Sequence, residues 1–151
     1  MSYGMARANY QTYKEQSVMT MTQVEMLTML YDGILKEVYA AKNALHATPL
    51  DIAEINRRLQ KVGRILNHLK TFLDMNNDIA KNLFSLYDYA SWIINQANMK
   101  KDPSKLDEVS HIISELKESY IQADRKVRMS TMHDPAQQPM LRQPEGAMRL
   151  N

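Results

Sequence analysis

The sequence predicts an all-α protein, an antiparallel up-and-down four-helix bundle. Three observations carry this. Chain breakers are scarce, with 4 glycines and 5 prolines in 151 residues, and Pro135, Pro139 and Pro144 fall late in the chain. Four segments repeat apolar residues at three- and four-residue steps, the signature of a buried helix face. Short punctuated stretches separate them, which makes neighbouring helices antiparallel. At a rise of about 1.5 Å per residue, helices of about 22–25 residues reach roughly 35 Å. A three-helix core with one helix swapped between subunits is the second architecture compatible with the pattern.

Composition narrows the function classes. There is no cysteine, which excludes disulfides, thiolate metal sites and a cysteine nucleophile. The N-terminal stretch lacks the apolar run of a secretory signal, and no segment approaches the ~18 apolar residues of a membrane span. A cytoplasmic protein without membrane insertion is expected. The net charge is +2, and its cations are too dispersed to track a phosphate backbone, so nucleic acid is not an expected partner.

Three divisions are expected: an N-terminal arm over 1–20, the bundle over 21–127 and a disordered tail over 128–151. The arm holds Tyr3, Tyr10 and Tyr13 without a sustained period. It reads either as a frayed terminus or as an arm docked through its tyrosines. Thr22 and Glu25 form a capping box ahead of the first long helix. Its core stripe is Leu27, Leu30, Tyr31, Ile34, Val38, Ala41 and Leu45. Beside it runs a second stripe of apolar or small residues, Met26, Met29, Gly33, Ala40 and Ala44, interrupted only by Glu37. It is wider than one helix seam needs.

Thr48 and Pro49 read as N-cap and first residue of the second helix, with Asp51 in its first turn. Ile52, Ile55, Leu59, Val62, Leu66, Leu69 and Leu73 make its core face, and basic residues make the other. The third helix follows the cap residues Asn76–Asp78, with Ile79, Leu83, Leu86, Tyr87, Ala90, Ile94 and Ala97 facing the core. Asp102 and Pro103 repeat the cap-then-proline arrangement before the fourth. There Leu106, Val109, Ile113, Leu116, Tyr120, Ala123 and Val127 form the apolar face. Beyond Arg128 the chain is polar and proline-containing, too poor in apolar surface to offset chain entropy.

The third helix lacks an ordinary solvent face. Between Ile79 and Met99 its only ionised side chains are Lys81 and Asp88. Trp92 falls opposite the core stripe, with Phe84 and Tyr89 on its flanks. Exposed aromatic area of this kind marks an interaction surface. The methionines at 19, 21, 26 and 29 fit core filling and an adaptable partner surface equally well. Gly33 fits close helix packing or close approach of a partner backbone. Leu-Tyr-Asp occurs twice, at 30–32 and 86–88, and its mid-helix aspartate, a poor helix former, points to a packing or polar contact.

Catalytic constellations are missing. A carboxylate-bridged metal site in a bundle needs two Glu-x-x-His motifs, and the chain has one, Glu108 to His111. The four histidines lie singly along the chain, and no glycine-rich phosphate loop occurs. Neither an enzyme nor a cofactor or metal is expected. The spare apolar surface on the first and third helices, diagonal in such a bundle, predicts an extended partner that wraps the bundle.

Several motifs in register carry a family resemblance. Ala8-Asn-Tyr-Gln-Thr-Tyr13, Ser17-Val-Met-Thr20 and Leu27-Thr-Met-Leu-Tyr-Asp-Gly33 resemble the opening of the FliS flagellar export chaperones. Leu73-Asp-Met75, Asn82-Leu-Phe-Ser-Leu-Tyr-Asp-Tyr89, Ala97-Asn98, Leu106-Asp-Glu-Val109 and Glu115-Leu116 continue it in order. The resemblance implies a four-helix cytoplasmic chaperone, monomer or homodimer. It would bind the C-terminal segment of flagellin, prevent early polymerisation and pass it to the flagellar secretion apparatus. Tyr10, Tyr13, Val18 and Thr20 would be arm and site-edge residues. With Met26, Met29, Tyr31, Gly33, Phe84, Tyr87, Tyr89 and Trp92 they make the expected partner-binding set. Other flagellar secretion or regulatory proteins are further possible partners. A structural helical homo-oligomer or adaptor, whose own subunits cover the spare surface, is the competing expectation.

Overall fold

Four helices follow one another in the computed structural model, which describes residues 21–130. They are α1 (Gln23–His46), α2 (Ile52–Lys70), α3 (Asp78–Lys100) and α4 (Leu106–Met129). Each neighbours the next and α4 closes on α1, so α1 and α3 are diagonal, as are α2 and α4. The up-and-down bundle expected from the periodicity is therefore present. None of these helices is long and apolar enough to cross a membrane.

Local chemistry sets the helix starts, in two cases differently from expectation. Thr22 caps α1, its hydroxyl accepting from the Glu25 N–H at 3.1 Å. Asn77 caps α3 by accepting from the N–H groups of Ile79 and Ala80. Helix α2 is capped by Asp51, which accepts from the Glu54 N–H at 3.1 Å. Thr48 and Pro49, joined by a cis peptide, stay in the preceding loop. The carboxylate of Asp102 closes a local turn onto the Ser104 N–H at 2.9 Å. As a result α4 begins only at Leu106, after Lys105, which supplies no side-chain cap.

The core is one continuous apolar cluster drawing on all four helices, with Tyr31, Ile34, Ile55, Leu66, Ile94 and Ile113 among its fully buried members. The expected core faces hold for most positions. Ile52, Ile79, Leu86 and Ala123 are exposed instead. On α3 the buried face is Ala80, Leu83, Tyr87, Ala90, Ile93, Ile94 and Ala97. It is turned slightly from the expected stripe, which moves Ile79 and Leu86 to its edge.

The two Leu-Tyr-Asp motifs play matching parts. Tyr31 and Tyr87 reach across the diagonal, and their hydroxyls hydrogen-bond at 2.6 Å in the buried centre. Each following aspartate turns outward to a lysine on an adjacent helix, Asp32 to Lys117 at 2.6 Å and Asp88 to Lys70. Lys42–Asp107 at 2.7 Å and Glu25–Arg128 at 3.9 Å add two further rungs along the α1/α4 seam. The spacing of these pairs follows the antiparallel register of that seam. Exposed pairs of this kind each contribute about 0–1 kcal/mol.

Candidate partner-binding surface

The second stripe of α1 is covered by α2. The ideal Cβ position at Gly33 lies 3.3 Å from the Cδ1 of Ile65. Glu37, on the same flank, meets Arg58 and Lys61 of α2 at 2.9 and 3.0 Å. Small residues at 33, 40 and 44 let the two helices approach, so most of this stripe is a helix seam. Met26 is buried, and only Met29 reaches the surface at its edge. Gly33→Ala is expected to raise stability by up to about 1 kcal/mol, because the Ile65 methyl can shift by a few tenths of an ångström. A thermal melt showing a loss of more than this would mean that the seam cannot yield.

The expected binding set divides accordingly. Tyr31 and Tyr87 are core residues, buried with their hydroxyls paired, and cannot present a free surface. Their burial holds both phenols neutral. It is the largest cause of the upward shift at each, to about 12 at Tyr87. Phe84 lies half-buried on the α2 flank of α3, with the Lys70 ammonium 5.1 Å from its ring centroid. Tyr10, Tyr13, Val18 and Thr20 lie outside the described residues.

Apart from Ile79 and Met99 near its two ends, the large apolar side chains exposed on α3 are Leu86, Tyr89 and Trp92, which form a ledge on the side toward α4. Their exposures are 38%, 41% and 50%, large for apolar side chains on one short stretch. Steps of three residues carry the ledge obliquely along the helix, because each step falls about 60° short of a full turn. The Tyr89 and Trp92 rings stack with centroids 6.3 Å apart and planes 14° apart. The Tyr89 hydroxyl donates to Glu108 of α4 at 2.6 Å. That bond, aided by burial and by the carboxylate charge, raises the phenol pKa. The Lys105 ammonium stands 5.4 Å from the Trp92 ring centroid. Glu108 of α4 and Lys105 just before it thus hold the aromatic pair in place, and α4 packs less extensively on α3 than on α1.

Two concavities open on the bundle, one of them beside this surface. A shallow cavity of about 100 Å³ at the α3–α4 turn is walled by Trp92, Gln96, Lys100, Asp102, Ser104 and Lys105. A larger groove of about 490 Å³ lies at the other end of the bundle, between Met21, Val24 and Thr28 of the α1 end and Ile121, Arg125 and Arg128 of α4. It sits where the chain before residue 21 joins the bundle. Glu108 and His111, the isolated metal-type motif, are otherwise engaged, Glu108 with Tyr89 and His111 with Glu115 at 3.2 Å.

Angular distance from the core stripe marks Tyr89 and Trp92 in the sequence, and both are exposed. The periodicity places Leu86 in the core, whereas it is exposed, and gives no sign of the contacts made by Lys105 and Glu108. No signal within one helix reports which side chains of a neighbour will clamp its rings.

Comparison with known proteins identifies the family. Residues 5–127 match the family model described as Flagellar protein FliS. The chain is 34% identical over 122 residues to the flagellar secretion chaperone FliS of Vibrio cholerae, covering 77% of this chain and 88% of that protein. It is 32% identical to the Bacillus subtilis chaperone of that name, covering 79% and 90%. Identity to the Salmonella typhimurium chaperone is 31%, covering 80% and 90%. With a family match over most of its length and curated relatives spanned almost end to end, this four-helix chain belongs to the FliS family of flagellar secretion chaperones.

Proposed function

We propose that the chain is a cytoplasmic chaperone for the C-terminal segment of flagellin, which it keeps from polymerising early and passes to the flagellar secretion apparatus. The observation that carries this is the Leu86–Tyr89–Trp92 ledge. It is a contiguous aromatic and aliphatic surface on a helix that otherwise packs normally, clamped from α4 and open to solvent. Such a surface suits the apolar face of a helix laid along the α3/α4 seam. Stacked, restrained aromatics lose little side-chain entropy on binding, and so serve well as anchors. Met29 lies on the α1/α2 side and the large groove on the α1/α4 side. Both would be reached only by a segment that wraps the bundle.

Titration of the full chain with a flagellin C-terminal peptide by calorimetry tests the reading. Wild type is expected to bind one peptide per chain, and Trp92→Ala to weaken binding about tenfold or more without changing the thermal midpoint. No binding by wild type, or equal binding by Trp92→Ala and Leu86→Ala, would sink it. A stable ligand-free dimer that covers Trp92 would favour the homo-oligomer instead.

A further inference from the structure

Beside the ledge, the α3–α4 turn holds two cations that share a single neighbouring carboxylate, Asp102. Lys100 and Lys105 both line the cavity that continues from Trp92. Neither makes an ion pair within 4 Å among the described residues. Three acidic residues lie close by in sequence: Asp102 feels the charge of both lysines, and the other two are engaged elsewhere. Asp102 accepts from the Ser104 N–H at 2.9 Å, Asp107 pairs with Lys42 across the α1/α4 seam at 2.7 Å, and Glu108 holds the Tyr89 hydroxyl at 2.6 Å. The cavity wall therefore carries two ammonium groups against the one carboxylate of Asp102. One of those ammonium groups already stands over the exposed indole face.

From this juxtaposition we infer that the partner segment carries an acidic side chain within about one helical turn of the apolar residue that covers Trp92, and that Lys100 and Lys105 receive it. The inference rests on the proposed flagellin-binding reading and adds a charge requirement to it. A carboxylate there meets two donors at the edge of a surface that the bound segment desolvates. Its pairing is then worth more than that of an open surface pair, and it fixes the direction and register of the segment along the ledge. An apolar ledge alone would accept a helix in several registers, whereas a charged contact at one end selects one.

The test uses the full-length chain and the flagellin C-terminal peptide, titrated by calorimetry at low and high salt. The double variant Lys100→Glu/Lys105→Glu is expected to bind about tenfold or more weakly at low salt and to reverse the salt dependence that wild type shows, since salt screens the new repulsion. Lys100→Gln/Lys105→Gln, which removes charge without repulsion, should fall between the two. Peptides with single acidic residues changed to lysine should include one that restores binding to the Glu variant. The Gln variant is expected to melt close to wild type, since neither lysine forms an ion pair within 4 Å among the described residues. The Glu variant sets negative charge at the C-terminus of α3 and beside Asp102, and is expected to melt slightly lower. Wild-type binding that is unchanged in both variants, or no restoring peptide, overturns the charge requirement while leaving the chaperone reading standing. Absence of wild-type binding overturns both.

Discussion

Arg58→Ala is expected to destabilise the bundle by more than the ~1 kcal/mol upper range of a surface ion pair. Its partner Glu37 sits on α1 facing α2 with a side chain only 3% exposed, while Arg58 is 25% and Lys61 51% exposed. Without Arg58 the buried carboxylate keeps only the half-solvated Lys61 at 3.0 Å. Glu37→Leu should behave differently and cost less than about 1.5 kcal/mol. It removes the buried charge, and Arg58 retains Glu54 at 2.7 Å while Lys61 turns to water. Urea melts of the two variants decide the matter, and an Arg58→Ala no worse than Glu37→Leu would refute the asymmetry. The pH dependence carries a defined sign. Burial pushes the Glu37 carboxyl up, but hydrogen bonds from Arg58 and Lys61, with their charges, outweigh it and hold the group below 4.5. A depressed folded pKa gives stability that is complete above that value and lost as the pH falls below it. With Arg58 gone, acid unfolding should begin at a higher pH than in wild type.

The same residues show what a sequence can and cannot report. Helix number, order and most of the core followed from apolar periodicity, because burial against one core imposes it directly. Caps were legible where the side chain serves the helix, as at Thr22 and Asn77. They were misread where a cap-like residue closes a loop, as at Asp102. Asp51 with Glu54 three residues later carried a capping pattern of its own, masked by the conspicuous Thr48-Pro49. The second stripe of α1 was visible as an excess of small and apolar residues, but periodicity measures the width of an apolar face and not what covers it. Gly33 and its neighbours spend that width on close packing with α2, which leaves the α3 ledge as the principal spare surface found. Leu86 and Ile79 were misplaced because a turn of the helix by less than one residue's ~100° step decides whether an edge position is core or surface. Lys105 and Glu108 could not be assigned at all, since their roles exist only once α4 lies beside α3.

Tyr31 and Tyr87 give the last expected result. Each single change to phenylalanine should cost about 1–3 kcal/mol, and the double change less than the sum of the two. Removing one hydroxyl leaves the other in the centre of the bundle without its 2.6 Å partner, whereas removing both leaves two apolar rings in an apolar core. Tyr120, whose ring lies 6.2 Å from that of Tyr31, keeps the cluster crowded, so neither change opens a large cavity. A double-mutant cycle on urea melts measures the coupling, and additive effects would show that the bond contributes nothing beyond the two rings. Alkaline titration supplies an independent check. With the folded-state phenol pKa values raised above the ordinary 10.0, their contribution is complete below pH 10 and declines as the pH rises toward 12. The double phenylalanine variant should therefore lose less stability than wild type over that interval. The diagonal bond ties α1 to α3, the helix that carries the ledge. Weakening it should loosen the position of Tyr89 and Trp92 before the bundle unfolds, with the fluorescence of the lone tryptophan as the reporter.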